Sequence, residues 1–508
     1  MTADLKRDLP DVSRLLLIDR RCWRSLGLRL REIGVTSDYL RQITRTGRSF
    51  PHAMRAPLQR WHSTRLTKPA GGAVRLLTLG DHISNEAVAT ALGEPLLTDL
   101  VNAGLILGDD NHLLFSPFSL KLVMNQLYII CDEPAYRGDA VMGVSETTGA
   151  LFHAANQPRH LERVLDLGCG AGTVALLLAR NSTRVIGTDI NSRAITLSQV
   201  NAAINGIDNV EFRYGDKFAP VVNETFELIV SQPPFVALPE GFSPATYLYG
   251  GPRGDELALQ ILSELEPYLS KTGRAVLVLQ WPDDGQPIGE RVRTAVGTDR
   301  LNILLLCSPP ADVDDLCTQY AAAEHFELDR DFESLAIQRR EHLDQLGILG
   351  ARTTYNIFER PESISGWTVV RDLTPENTRY VSAARIDKLL ATQNLLHKGN
   401  DNVRQATLRL PAGAVLAEER QIAAPTNRRL VLRLPPQTLA PSVELNEQLW
   451  TLLSIINEAE DVDIAIDRFA VAHGLSFQEA LETVVPVIEQ AMKSGILESA
   501  QTYREPER

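Results

Sequence analysis

Residues 163–172, Arg-Val-Leu-Asp-Leu-Gly-Cys-Gly-Ala-Gly, restrict the fold more than any other stretch of the chain. Val164 and Leu165 belong to an apolar run of the kind buried in a parallel strand, and Gly168, Gly170 and Gly172 allow a tight turn that a Cβ would obstruct. Residues 173–180, Thr-Val-Ala-Leu-Leu-Leu-Ala-Arg, open a helix. Strand, glycine turn and helix in that order begin a doubly wound nucleotide-binding unit, whose ligands lie beyond the carboxyl ends of the strands. The spacing is Gly-x-Gly-x-Gly with Asp166 just ahead of it, and a carboxylate there suits a cationic ligand better than a diphosphate.

Three further landmarks follow. Residues 184–189, Arg-Val-Ile-Gly-Thr-Asp, read as a second strand ending in a carboxylate placed to accept two ribose hydroxyls. A third strand, 210–214, leads to Gly215-Asp216, whose carboxylate could accept from an adenine amino group. A fourth, 226–230, delivers Ser231-Gln232-Pro233-Pro234-Phe235 at its C-terminal end. With these motifs in this order, residues 130–370 resemble the class I S-adenosylmethionine-dependent methyltransferases. Within them the likeness is to the branch with an Asn-Pro-Pro-Tyr/Phe motif, which includes protein-glutamine N5 and nucleic-acid adenine N6 methyltransferases. The resemblance implies a seven-stranded, doubly wound Rossmann-like α/β core and S-adenosylmethionine as cofactor. It implies that Asp166, Gly168, Gly170 and Gly172 face the methionine part, that Asp189 holds the ribose and that Asp216 reads the adenine. Cys169, Ile190 and Lys217 complete the implied cofactor set; at Cys169 small size suffices and no catalytic use is expected.

Methyl transfer from a sulfonium expels a neutral thioether, so it depends on alignment and an available lone pair more than on a strong acid. An amide or aromatic-amine nitrogen has a delocalised pair. Donating both of its hydrogens to fixed carbonyl oxygens favours a pyramidal nitrogen and turns that pair toward the methyl. Here the acceptors would be Gln232 Oε1 and the Pro233 carbonyl, the latter held by Pro233-Pro234 with fixed φ, while Phe235 could stack on a planar substrate group. The branch usually has Asn or Asp where this chain has Gln232, and one more methylene moves the acceptor by about 1.5 Å. Either the local backbone withdraws, or the substrate differs from a simple glutamine side chain or adenine.

Residues 246–255, Thr-Tyr-Leu-Tyr-Gly-Gly-Pro-Arg-Gly-Asp, have the composition of a mobile loop over the acceptor, with Tyr247, Tyr249 and Arg253 as candidate substrate contacts. A helix is expected over about 256–269, a fifth strand at 272–280, a sixth at 301–306, helices between about 311 and 346, and a last strand at 353–358. Three domains are expected: 1–129, helical and similar to a winged helix, for substrate recognition; 130–371, the methyltransferase domain; and 372–508, α+β with a winged-helix-like end. The last faintly resembles the small peptide-binding domains of ribosomal-peptide-modifying enzymes.

The net charge of −13 speaks against non-specific nucleic-acid binding, which needs Lys and Arg to neutralise phosphates. Charge is unevenly spread, since residues 1–70 hold 15 Lys+Arg against 6 Asp+Glu, and Arg20, Arg21, Arg24, Arg29 and Arg31 fall on an expected helix. That helix presents either a docking or solvated face or an RNA contact. Five cysteines, at 22, 131, 169, 307 and 317, have no metal-type spacing, so no metal site is expected and reduced thiols fit a cytoplasmic protein. Neither a membrane span nor a signal-peptide pattern is expected. Three functions fit: an N-methyltransferase acting on an amide or amine of a protein, peptide or amino-acid-like metabolite; an RNA adenine or guanine N-methyltransferase; or a cofactor-binding regulator without turnover.

Overall fold

The structure, a computed structural model, describes residues 9–44, 55–65, 69–132, 138–242, 246–324, 330–361, 365–421 and 424–500. Two compact units divide the chain, the first formed by residues 1–152, 159–270 and 313–348 and the second by 153–158, 271–312 and 349–508.

In the first unit, helix α1 (Arg20–Glu32) begins where the Asp19 side chain accepts from Arg21 N–H. Helices α2 (Ser37–Thr44), α3 (Arg55–Arg65) and α4 (Pro69–Leu77) follow. Strand β1 (Ile83–Ser84) runs into α5 (Asn85–Leu92), capped by Ser84, and Gly93 at φ +86° turns the chain into α6 (Glu94–Asn102). Strands β2 (Leu107–Gly108) and β3 (Leu113–Phe115) complete an antiparallel sheet of order β1-β3-β2. A hairpin of β4 (Phe118–Val123) and β5 (Leu127–Asp132) comes next.

The same unit then carries α7 (Glu146–Ala155), β6 (Leu161–Leu167), α8 (Thr173–Leu178), β7 (Ser182–Asp189), α9 (Ser192–Asn205), β8 (Val210–Tyr214) and β9 (Phe226–Ser231). Its strands are parallel in the order β9-β6-β7-β8. Val164, Leu165, Val185, Ile186, Leu228 and Ile229 are all buried, which is why these strands read as continuous apolar runs without alternation. Two asparagines on α9 satisfy backbone groups of β5. Asn201 bonds both Ile130 N–H and Ile130 C=O, and Asn205 does the same one turn later at Tyr128. On another side α9 meets α1 so closely that a Cβ on Gly27 would lie 1.9 Å from the Ile204 carbonyl oxygen. Beyond β9, β10 (Val236–Ala237) pairs in parallel with β11 (Tyr249–Gly251), and α10 (Glu256–Glu264) follows.

In the second unit, β12 (Leu269–Asp283) is followed by α11 (Ile288–Val296), β13 (Asn302–Cys307) and β14 (Ala311–Asp312). The chain then returns to the first unit as α12 (Val313–Glu324) and α13 (Arg330–Gln345). Strand β15 (Gly350–Glu359) lies antiparallel between β12 and β13, and β16 (Thr368–Asp372) pairs in parallel with β13. The fifth, sixth and last expected strands are thus present, but β14, which pairs with β15, and β16 are additions to the expected seven. The Thr-Val-Val-Arg-Asp of β16 is too short to carry a strand pattern of its own, and its pairing with Ile303–Cys307 depends on a partner distant in sequence.

The second unit continues with α14 (Pro375–Thr378), α15 (Ala383–His397), α16 (Asn400–Arg404), β17 (Leu408–Arg409), β18 (Val415–Gln421), β19 (Ala424–Arg433) and β20 (Val443–Leu445). Helices α17 (Glu447–Ile456), α18 (Val462–His473) and α19 (Phe477–Ser494) and strand β21 (Glu498–Ser499) end it. Leu432, Ile456, Ile466, Ile488 and Met492 belong to a buried core shared by the antiparallel sheet β18-β19-β20 and these helices. A capping box between Ser476 and Glu479 starts α19.

Candidate active site

At the carboxyl ends of β6 and β7 the backbone folds back in three left-handed glycines, Gly168 (φ +75°), Gly170 (φ +52°) and Gly172 (φ +79°). They do different work. A Cβ at Gly172 would strike Ser198 and Phe212, so this glycine is required by packing of the turn against α9 and β8. At Gly168 and Gly170 a Cβ would meet no atom within 4 Å. These two therefore leave an open hollow whose floor is backbone, which fits the close approach of a nucleoside cofactor. Gly187 in β7 is forced as well, since a Cβ there would press on Phe212 and Cys169.

Two carboxylates stand at this turn. Asp189 accepts from Gly170 N–H and Asn191 N–H at 2.8 Å each, so this carboxylate and the glycine turn fix one another. Burial raises its pKa, while those two backbone bonds pull the other way. Asp166 accepts from Ala175 N–H at 2.9 Å and so holds the start of α8. Its carboxyl is pushed up to about 7, chiefly by burial, with the nearby Asp189 charge adding to the effect. The Cys169 thiol is raised well above its usual range by the same burial and the same two carboxylates, which leaves it a small packing residue and not a nucleophile. Ile190 is half exposed, next to Asp189. Asp216 follows β8, its exposed carboxylate paired with Lys217 Nζ at 2.7 Å, and Lys217 itself adopts φ +44°.

The fourth motif reaches the hollow through strand register. Leu167 pairs with Ser231, and Ser231 Oγ donates to Leu167 O at 2.7 Å, so Gln232 leaves β9 beside the residue that precedes Gly168. Gln232 Nε2 donates to Thr147 Oγ1 at 2.5 Å. Thr147 lies in the first turn of α7, within a cluster in which Ser145 Oγ contacts Thr147 Oγ1 at 2.8 Å and Thr148 Oγ1 at 3.0 Å. The longer stem of Gln232 thus spans to a helix start, where its nitrogen donates, and the carbonyl oxygen Oε1 is the atom left to accept. Sequence reasoning missed Thr147; the only local signal is a Ser-x-Thr-Thr run of the kind found at helix starts, and nothing in it points to residue 232.

The acceptor-side loop lies directly on the motif. A Cβ at Gly250 would sit 2.6 Å from Pro234 O, and one at Gly254 would sit 2.5 Å from Phe235 O. Asp139 ties this loop to the cofactor side, accepting from Thr246 Oγ1 through its carboxylate and from Asn191 Nδ2 through its backbone carbonyl. Of the three expected contact residues, Tyr249 directs its hydroxyl to Arg339, from which it accepts at 3.1 Å. Arg253 places its guanidinium 3.6 Å from buried Asp255, while its backbone N–H is held by Glu256. Tyr247 is partly exposed within the loop.

Three of the five arginines of α1 have partners within the protein. Arg20 pairs with Asp208 and donates to Ile207 O, Arg29 donates to Ala91 O, and Arg31 lies over the Tyr128 ring at 5.1 Å. Lys6, Arg7, Arg45, Arg48 and Lys68 of the same basic segment lie outside the described residues. Among the described residues no group of three or more His, Cys, Asp or Glu is placed to hold a metal, and no helix is long and apolar enough to cross a membrane.

The glycine turn, the two carboxylates and the Gln-Pro-Pro-Phe motif all fall within residues 143–245, which match the family described as Methyltransferase small domain. The chain thus carries a methyltransferase domain of the class I S-adenosylmethionine-dependent kind. More particularly, it is similar to the release factor glutamine methyltransferase of Xylella fastidiosa (strain 9a5c), 36% identical over 164 residues, 30% of this chain and 57% of that protein. The ribosomal protein uL3 glutamine methyltransferase of Xylella fastidiosa (strain Temecula1 / ATCC 700964) is 34% identical over 140 residues, 26% of this chain and 45% of that protein. The chain spans about half the length of these curated relatives. Among solved structures, a ribosomal protein L11 methylase from Lactobacillus delbrueckii subsp. bulgaricus is 20% identical with a TM-score of 0.25, covering 32% of this chain and 72% of that one.

Proposed function

We propose that this protein is an S-adenosylmethionine-dependent N-methyltransferase whose acceptor is a side-chain amide of a protein, with glutamine as the favoured residue. The observation that carries the reading is the register of β6 against β9, which sets Gln232 beside the glycine hollow with its amide nitrogen already engaged by Thr147. The names of the glutamine methyltransferases similar to it support the choice of acceptor. S-adenosylmethionine, when bound, would supply a sulfonium methyl whose leaving group is a neutral thioether, and the acceptor nitrogen would give up one proton to solvent in exchange for the methyl. Gly168, Cys169, Gly170 and Gly172 with Asp166 would hold its methionine end, Asp189 and Ile190 its ribose, and Asp216 with Lys217 its base.

This chain's own residues would then act on the acceptor nitrogen. Gln232 Oε1 and the Pro233 carbonyl accept its two hydrogens, which orients the lone pair. Pro233 and Pro234 keep that carbonyl in place through fixed φ, and Phe235 stacks on the planar amide. Tyr247 and Arg253 are the loop residues assigned to the acceptor, and Tyr249 to shaping the loop.

The domain ranges 1–129, 130–371 and 372–508 belong to the same reading. The order α4-β1-α5-α6-β2-β3 supports a winged-helix-like N-terminal module that presents substrate, and the three strands and three helices of 415–494 support a separate peptide-facing module. A cytoplasmic site of action goes with a protein acceptor of the translation machinery. The test is to incubate the full chain with methyl-labelled S-adenosylmethionine and a cell extract split into protein, RNA and small-molecule fractions. Label in the protein fraction, retained on glutamine in an enzymatic digest and released as methylamine by acid hydrolysis, is expected. Label confined to RNA with steeply salt-dependent binding would replace this reading with the nucleic-acid one, and no label in any fraction would replace it with the non-catalytic regulator.

A further inference from the structure

We propose that the α12–α13 hairpin is the specificity element of the acceptor site and that Arg339 is the positioning residue through which it acts; this rests on the methyltransferase reading above. The hairpin lies in sequence between two strands of the second unit yet belongs to the first, together with the residues around the site. One face of it grips the ribbon that continues from the Gln-Pro-Pro-Phe motif. Arg339, His342, Leu343 and Leu346 recur at the spacing of a single helix face, and each has a counterpart in that ribbon or in the cluster around it.

Arg339 is 1% exposed. Its guanidinium lies over the rings of Phe242 at 5.2 Å, Tyr320 at 5.7 Å and Tyr249 at 5.8 Å, and it donates to the Tyr249 hydroxyl at 3.1 Å and toward the Ala237 carbonyl at 3.5 Å. Taking a guanidinium out of water is costly, and the site repays it with aromatic faces and oxygen acceptors drawn from both sides of the ribbon. Ala237 stands two residues after Phe235, and Tyr249 stands in the strand paired with it. His342 Nε2 meets the Pro252 carbonyl at 2.7 Å, a second grip one turn along. Leu343 and Leu346 pack with Cys317 and Ile348 around Ala237. The ribbon in turn lies on the motif backbone at Gly250 and Gly254, so the wall facing the acceptor is set from outside by the hairpin.

The guanidinium's planar shape is what reaches an aromatic cage and two oxygens at once, so Lys, a point charge, should serve only in part. The test compares wild type with Arg339→Gln, Arg339→Lys and His342→Ala in the full chain. Hydrogen exchange is followed over residues 246–254, with β6 and β7 as internal control, and S-adenosylhomocysteine binding is measured by calorimetry. Both readouts need no acceptor, so they stand even if the protein transfers no methyl. Arg339→Gln should speed exchange in 246–254 by about tenfold or more while β6 and β7 stay protected and the affinity for S-adenosylhomocysteine stays within about twofold. Arg339→Lys should restore part of that protection, and His342→Ala, at a half-buried side chain, should show a smaller change of the same sign. With the labelled protein fraction as acceptor, KM for that fraction should rise and KM for the cofactor should not. Unchanged exchange in 246–254, or losses shared equally with β6, β7 and cofactor affinity, would overturn the proposal.

Discussion

Gln232 and Thr147 show how a conservative departure is absorbed. The extra methylene of Gln would carry an amide past the position an Asn would fill, and Thr147 at the start of α7 takes up the far end of it. Thr147→Val removes the hydroxyl while keeping the shape, so it should leave S-adenosylhomocysteine affinity within about twofold and lower kcat by about tenfold, on the order of one hydrogen bond of 1–1.5 kcal/mol. Thr147→Ser should keep most of the rate; equal losses in both variants would show that the hydroxyl is not what positions Gln232. Asp166 makes a second prediction. Burial raises its carboxyl to about 7 from an ordinary 3.8, so the folded protein without cofactor binds a proton that the unfolded chain has released. Stability is then lost as pH rises between about 4 and about 7. Asp166→Asn removes that loss, and its urea midpoint relative to wild type should climb from pH 5 to pH 8. A pH-independent difference would mean that Asp166 ionises normally. The glycines, Asp189 and Gln232 were legible in the sequence because each sits at a strand end in a fixed order. Thr147, Asp139 and Arg339 were not, because each acts across 85, 107 and 90 or more positions on a partner that only the fold brings near.

At the scale of elements, α9 is the hinge of the argument. Its Asn201 and Asn205 complete the backbone of β5, and its Ile204 receives α1 at Gly27. The five arginines of α1 read in the sequence as a docking or solvated face ahead of an RNA contact, and Arg20, Arg29 and Arg31 have partners in the protein itself. Gly27→Val would drive two methyls into the Ile204 carbonyl, and a helix shift is the sole relief, so a destabilisation of about 2–3 kcal/mol is expected in urea unfolding. A change under about 0.5 kcal/mol would show that α1 does not dock there. The helices and most strands were legible because their apolar periods are strong. Strand β16 was not, since five residues without a nearby partner carry too little pattern.

For the whole molecule, the claim is that a cofactor cradle and an amide-orienting motif, set side by side by the register of β6 and β9, make one methyl-transferring site. The flanking modules were legible as helices and short strands, but which of them meets an acceptor is a matter of surfaces, and surfaces leave no period in a sequence. The most direct test pairs two variants in the full chain, with S-adenosylhomocysteine calorimetry and transfer of labelled methyl to the protein fraction measured on each. Asp189→Ala should weaken cofactor affinity by about tenfold to a hundredfold, the worth of a carboxylate accepting from ribose hydroxyls. Gln232→Ala should leave that affinity nearly unchanged and lower transfer at saturating cofactor by about tenfold to a hundredfold. If Gln232→Ala instead transferred methyl at the wild-type rate, or lost cofactor affinity in step with Asp189→Ala, the two residues would not divide the work of one site and the account would fail.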